Sequence, residues 1–199
     1  KGVVPPWQQV PDEAKVSLQT LRKTTMTHRL PVAVLSYGWA AKRHPDPTGA
    51  LLRHLRPVLE AMAKLVKDGQ CAAFGIVWDF MALPQRGYTM TYVPDVLDAD
   101  GKVIKNNDDR TPYQRARFGS GLKGINMWYG AQMTTTLVCD FAMPEGAENA
   151  APIDMRGWCI TEKMLSSMRK MSVCCLTLSQ LPPGDDVLSW REVIRACQA

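Results

Sequence analysis

The chain has 199 residues and no apolar run approaching the ~20 residues of a membrane-spanning helix, so a membrane span is excluded. No charged segment leading into an apolar core opens it, so no secretory signal is read. Histidine is scarce: His28, His44 and His54 are the only three. The six cysteines contain no C-x-x-C pair, so zinc lacks ligands at short spacing and no metal is expected. Most of them lie in apolar stretches such as Val173-Cys174-Cys175-Leu176. That pattern suits buried, reduced thiols in an intracellular protein, with the cytoplasm as the first expectation and an organelle also compatible. A strong charge bias is missing too: 24 Lys+Arg against 19 Asp+Glu leave +5. The best basic cluster, Lys42-Arg43-His44 with Arg53 and Arg56, is not a stripe interleaved with aromatics, so nucleic acid is not an expected partner. No G-x-x-x-x-G-K-[ST] loop and no G-x-G-x-x-G turn follow the first strand, and Gly119-Ser120-Gly121 lacks the frame of a nucleophile elbow. Any phosphate recognition must therefore use arginine side chains and helix N-termini.

What is present is an ordinary globular composition, 46% hydrophobic and 22% charged, at a length for one domain. Residues 1–30 read as an extended arm around Pro5-Pro6-Trp7 followed by a short helix-like pattern over 12–23. From Pro31 the chain alternates. Val32 to Tyr37 is an apolar run of strand length, suited to a central strand buried on both faces. Asp46-Pro47 offers an N-cap and a first helical residue, and the Leu and Val spacing from Leu51 to Val66 predicts a helix kinked at Pro57 and stopped at Gly69. Ala72 to Asp79 predicts a second strand and completes a βαβ unit. Residues 86–111 interrupt the alternation as an inserted hairpin, with strands expected at Tyr88 to Val93 and Lys102 to Lys105 around an Asp100-Gly101 turn. A helix through Phe118 to Tyr129, a strand from Thr134 to Cys139, and a loop from Met143 to Pro152 follow. Next come a helix from Trp158 to Met171 with Ile160, Met164, Leu165 and Met168 turned inward, a strand at Val173 to Leu178 and a closing helix at Val187 to Cys197. The expectation is a three-layer α/β fold: a mostly parallel sheet of four to five strands, helices on both faces and an inserted β-hairpin, all within residues 31–199.

Ligands of open parallel sheets bind beyond the carboxyl ends of the strands. That rule selects Ser36, Tyr37, Trp39 and Arg43 after the first strand, Asp79 after the second, Asp140 after the third, and Arg156, Trp158 and Glu162 at the last long helix. Each has an ordinary alternative. Ser36 and Asp79 are also good loop caps, the tryptophans good packing groups, His44 a solvated loop residue, and Glu162 a helix-face residue.

The order of three short motifs resembles TIR-like domains, and among them the fungal heterokaryon-incompatibility domains. Ser36-Tyr37-Gly38-Trp39 resembles their Ser-Tyr-x-Trp element after the first strand. Val77-Trp78-Asp79 running to Gln85 resembles their second strand and loop. Arg156-Gly157-Trp158-Cys159-Ile160-Thr161-Glu162 resembles their Arg-x-Trp-Cys segment, and the Trp-Cys-x-x-Glu of plant-type TIR domains that carries the glutamate required for NAD cleavage. His44-Pro45-Asp46-Pro47 is similar to a variant of protist relatives. The resemblance spans roughly residues 32–178, and the long 86–111 insertion departs from it. It implies a flavodoxin-like, TIR-like sheet and an NAD(P)-cleaving glycohydrolase that needs no cofactor and uses NAD as substrate. Glu162 would be the catalytic carboxylate; Tyr37 or Trp39 would stack on a base, Arg43 and Arg156 would neutralise phosphates, and Ser36, Asp79 and Trp158 would complete the site. The same resemblance allows a non-catalytic module that self-associates or binds a protein partner. A nucleoside or nucleotide ribosyl transferase is a third expectation.

Overall fold

The computed structural model describes residues 2–17, 19, 31–88, 94–182 and 188–198. Four parallel strands form the central sheet: β1 (Val32–Tyr37), β2 (Gly75–Val77), β5 (Thr134–Cys139) and β6 (Cys175–Thr177), in the order β2-β1-β5-β6. Two short antiparallel strands, β3 (Val96–Leu97) and β4 (Val103–Lys105), form the inserted hairpin. The helices are α1 (Ala50–Lys67), α2 (Asp79–Ala82), α3 (Pro112–Gly130), α4 (Gly157–Arg169) and α5 (Trp190–Ala196). Helices cover both faces of the sheet, giving three layers: α1 packs with α5 and α3 packs with α4.

Every residue of β1 is buried, as its uninterrupted apolar run requires of a strand with neighbours on both sides and helices above and below. Alternation divides the strand between two cores. Ala33, Leu35 and Tyr37 join Leu137, Leu176, Leu55, Val58, Met62 and Val193 under α1 and α5. Val34 turns the other way, against Ile125 and Tyr129 of α3, with Leu165 of α4 alongside. Chain order reverses between β1 and β5, so the switch point lies beyond Tyr37 and Cys139.

Several expectations shift in detail. Asp46 does cap α1, but from a distance: the helix starts at Ala50 after Gly49 (φ 72°), and the buried Asp46 carboxylate accepts from the Leu51 and Leu52 amides at 3.1 and 2.9 Å. The intervening turn places the carboxylate, not the backbone of Asp46, at the helix mouth. The helix continues through Pro57 and ends where Gly69 takes a positive φ of 68°. The hairpin turn forms around Gly101 (φ 78°), yet β4 pairs with Val96–Leu97. Of the strand expected at 88–93, residues 89–93 lie outside the described residues. A 3-10 turn occupies Asp12–Ala14, and most of the remaining helix-like stretch is likewise outside them. No helix among the described residues is long and apolar enough to cross a membrane.

The largest correction concerns α4. Ile160, Met164 and Met168 were expected inward; they face outward, Met168 at 77% exposure, while Cys159, Glu162, Ser166 and Lys170 are buried. The reason lies in the sheet. On the α4 side β5 presents the hydroxyls of Thr134 and Thr136, and β1 presents Ser36, so the helix row able to hydrogen-bond is the one that packs.

Candidate functional site

Glu162 lies in the second turn of α4, 3% exposed, against the end of β1. Burial is the largest influence on it and pushes its carboxyl up to about 7; the nearby Asp79 charge pushes the same way. The Ser36 and Tyr129 hydroxyls and the Trp158 side chain act in the opposite direction, favouring the carboxylate. Ser36 Oγ is fully buried and has no hydrogen bond of regular geometry, so it leans on the carboxylate without being satisfied by it. Tyr129 gives its proton to the Leu35 carbonyl at 2.6 Å, which fixes its ring beneath β1. Of the side chains bearing on Glu162, Trp158, one turn earlier, is the exposed one at 48%.

Asp79 opens α2 directly after β2 and accepts hydrogen bonds from the Tyr37 hydroxyl and, at 2.6 Å, from the Phe80 amide. Burial raises its carboxyl, and those donors with the Trp39 side chain hold it down. Tyr37 is raised well above an ordinary phenol, mainly by burial and next by the Asp79 charge. The site therefore joins three separated stretches: Ser36–Tyr37, Asp79, and Trp158–Glu162. Cys159 ties the first to the third, its thiol donating to the Tyr37 carbonyl at 3.3 Å. Burial pushes that thiol up to about 11, in keeping with a buried, hydrogen-bonded packing group.

The remaining sequence candidates take other positions. Arg156 donates to the carbonyls of Ala151 (2.9 Å), Trp39 (3.0 Å) and Asn149 (2.8 Å). Its guanidinium staples the loop before α4 to the loop after β1, which leaves little of it for phosphate. Gly38 makes this possible: a Cβ there would stand 2.8 Å from Arg156 Cζ. Trp39 meets Phe80 edge-on at 5.6 Å and is half-buried. Arg43 is exposed, and its carbonyl accepts from Tyr88 at 2.6 Å, fastening the base of the insertion beside the switch point. His44 accepts from the Asp46 amide through Nδ1 (3.0 Å) and donates through Nε2 to the Val4 carbonyl (3.0 Å), a structural use. Asp140 accepts from the Ser179 hydroxyl and amide at 2.6 and 3.0 Å, binding the two strand ends together.

Sequence reasoning missed Tyr129, Ser166 and Lys170. Lys170 Nζ donates to Thr134 Oγ1 and Thr136 Oγ1, both at 2.8 Å, and to the Trp128 carbonyl at 3.2 Å. Burial lowers its amine to about 8. Ser166 Oγ lies 2.8 Å from Thr136 Oγ1 and bonds the Tyr129 carbonyl at 3.2 Å. The available signal was the four-residue period Glu162, Ser166, Lys170, running beside an equally regular apolar row.

A cavity of about 610 Å³ opens at the β2 edge, lined by Trp7, Phe74, Trp78, Asp79, Leu83 and Trp128 among others. Lys15 stands over the Trp7 ring at 4.5 Å and Arg117 at 5.6 Å, and both line the cavity. Asp79 thus connects the cavity to the Glu162 nest; Glu162 itself lines neither this cavity nor a second one of about 330 Å³ beside α4. No group of three or more His, Cys, Asp or Glu fit to hold a metal occurs among the described residues. All six cysteines are free thiols. Compared with protein-family models, with curated proteins and with solved structures, the chain matches none.

Proposed function

We propose that this chain is a TIR-like domain that cleaves the N-glycosidic bond of NAD(P), with Glu162 as the carboxylate facing the ribose. The observation that carries the reading is Glu162 itself: a buried acid raised to about 7, at the switch point of a parallel sheet, beside the unsatisfied Ser36 hydroxyl. In the reaction the bond between nicotinamide and the anomeric carbon breaks and its electron pair leaves with nicotinamide. Water then adds to the anomeric carbon and gives up a proton. Positive charge develops on the ribose, and an ionised Glu162 stabilises it. Burial keeps the proton affinity of Glu162 high and the Asp79 charge adds to it, while the Ser36 and Tyr129 hydroxyls act toward the ionised form. Trp158, at 48% exposure, is the one side chain bearing on Glu162 that reaches well into solvent.

The test is nicotinamide release from NAD, followed by chromatography, for the wild type and Glu162→Gln. Gln keeps the shape and removes the charge, and a loss of roughly 10²–10³-fold is expected. Equal rates in the two proteins, or no release by the wild type at high protein concentration, overturn the reading. A second reading, a non-catalytic assembly module, draws support from the depth of the same carboxylate, which lines neither cavity.

A further inference from the structure

The outer face of α4 inverts the usual pattern of a surface helix. Ile160, Met164 and Met168 form a row at four-residue spacing, all exposed, and Met171 just beyond the helix end is exposed as well. Such a row normally faces a core. Methionine thioethers in this setting adapt to the side chains of a partner. The row is bracketed by charge. Lys163 precedes Met164 by one residue and Arg169 follows Met168 by one, so at 100° per residue they stand on opposite sides of it. Both are exposed, and neither has an ion-pair partner among the described residues. Along one border runs the groove of about 330 Å³, with Val138, Ile153 and Cys159 lining it beside Met164; Asp154 is its one acidic lining residue.

We propose that this face docks an amphipathic helix of a partner protein, an apolar row flanked on both sides by Asp or Glu. Acidic flanks would meet Lys163 and Arg169, and one large apolar side chain would enter the groove. A second copy of this chain fits worse. Two identical faces brought together about a two-fold axis set Lys163 and Arg169 against the same cations. A lipid surface fits worse too, because two cations supply only ~1 kcal/mol each toward anionic headgroups. The proposal does not rest on the Glu162 chemistry.

The test uses two synthetic helices with the same leucine row, one flanked by Glu and the other by Lys, titrated by fluorescence anisotropy against the whole chain. The Glu-flanked helix should bind saturably, and Lys163→Glu/Arg169→Glu should weaken it by about tenfold or more while admitting the Lys-flanked one. Met164→Asp/Met168→Asp, at exposed positions whose fold is checked by circular dichroism, should abolish binding and leave any nicotinamide release unchanged. Equal binding of both helices, or binding of neither, overturns the proposal. So does a concentration-dependent dimer in sedimentation that the methionine double variant removes, or binding to phosphatidylserine vesicles that the same variant removes.

Discussion

The two faces of the central sheet are built on different chemistry. Under α1 and α5 the contact is hydrocarbon: Ala33, Leu35 and Leu137 of the sheet meet Leu55, Val58, Ala61 and Met62 of α1. Under α3 and α4 the same strands add Ser36, Thr134 and Thr136 to the apolar Val34 and Val138, and the helices answer those hydroxyls with Tyr129, Glu162, Ser166 and Lys170. An apolar face is held by area removed from water and is insensitive to pH. A polar face is held by matched hydrogen bonds, whose net contribution is modest and whose loss is costly. The comparison teaches where function can sit. The second face holds Glu162 and Lys170, whose protonation burial brings toward neutrality.

The sharpest break in that contrast comes from the apolar side. Leu55→Ala should destabilise the protein by about 2–5 kcal/mol, because Leu55 is fully buried in a packed core. Denaturant unfolding at several pH values checks it, and the loss should be the same at each. On the polar side the effect depends on pH. The folded carboxyl of Glu162 holds its proton to about 7, while the unfolded one releases it near 4.5. Stability from this group is complete below 4.5 and is lost as pH rises through about 7. The whole change is on the order of 3 kcal/mol, and Glu162→Gln should flatten it in urea titrations run across that interval. A steeper slope in the variant would place the titration elsewhere. If Glu162 is also catalytic, nicotinamide release should rise with pH over the interval in which stability falls. The smallest effect concerns the helix on this face. Gly119 lies inside α3, and a Cβ added there would meet nothing within 4 Å, so Gly119→Ala should stabilise by roughly 0.5–1 kcal/mol, read as a higher urea midpoint. Gly121→Ala should not share the gain, because its Cβ would run into the Leu83 side chain.

The alternation of strands and helices was legible because each strand of the sheet is a short apolar or β-branched run, and β1 and β5 begin and end where the pattern says. The meeting of Ser36, Asp79 and Glu162 followed from a geometric rule about strand ends, not from any one motif. Arg156 reads in the sequence as an anion site, because the three carbonyls that its guanidinium meets come together only in the fold. Tyr129 and Lys170 were invisible for a related reason: their partners lie far away along the chain, Leu35 for the first and Thr134 and Thr136 for the second.

Local pattern was therefore enough for the element types, the βαβ start and the inserted hairpin, since those depend on periodicity and turn residues close together in the chain. The choice of which side of α4 faces inward was not local. That helix carries two regular rows, and hydrophobicity alone favours the apolar one. The threonines of a strand some thirty residues earlier reverse the choice, because buried hydroxyls need partners and the polar row supplies them. The burial of Glu162 and the exposure of the methionines both follow from that one rotation.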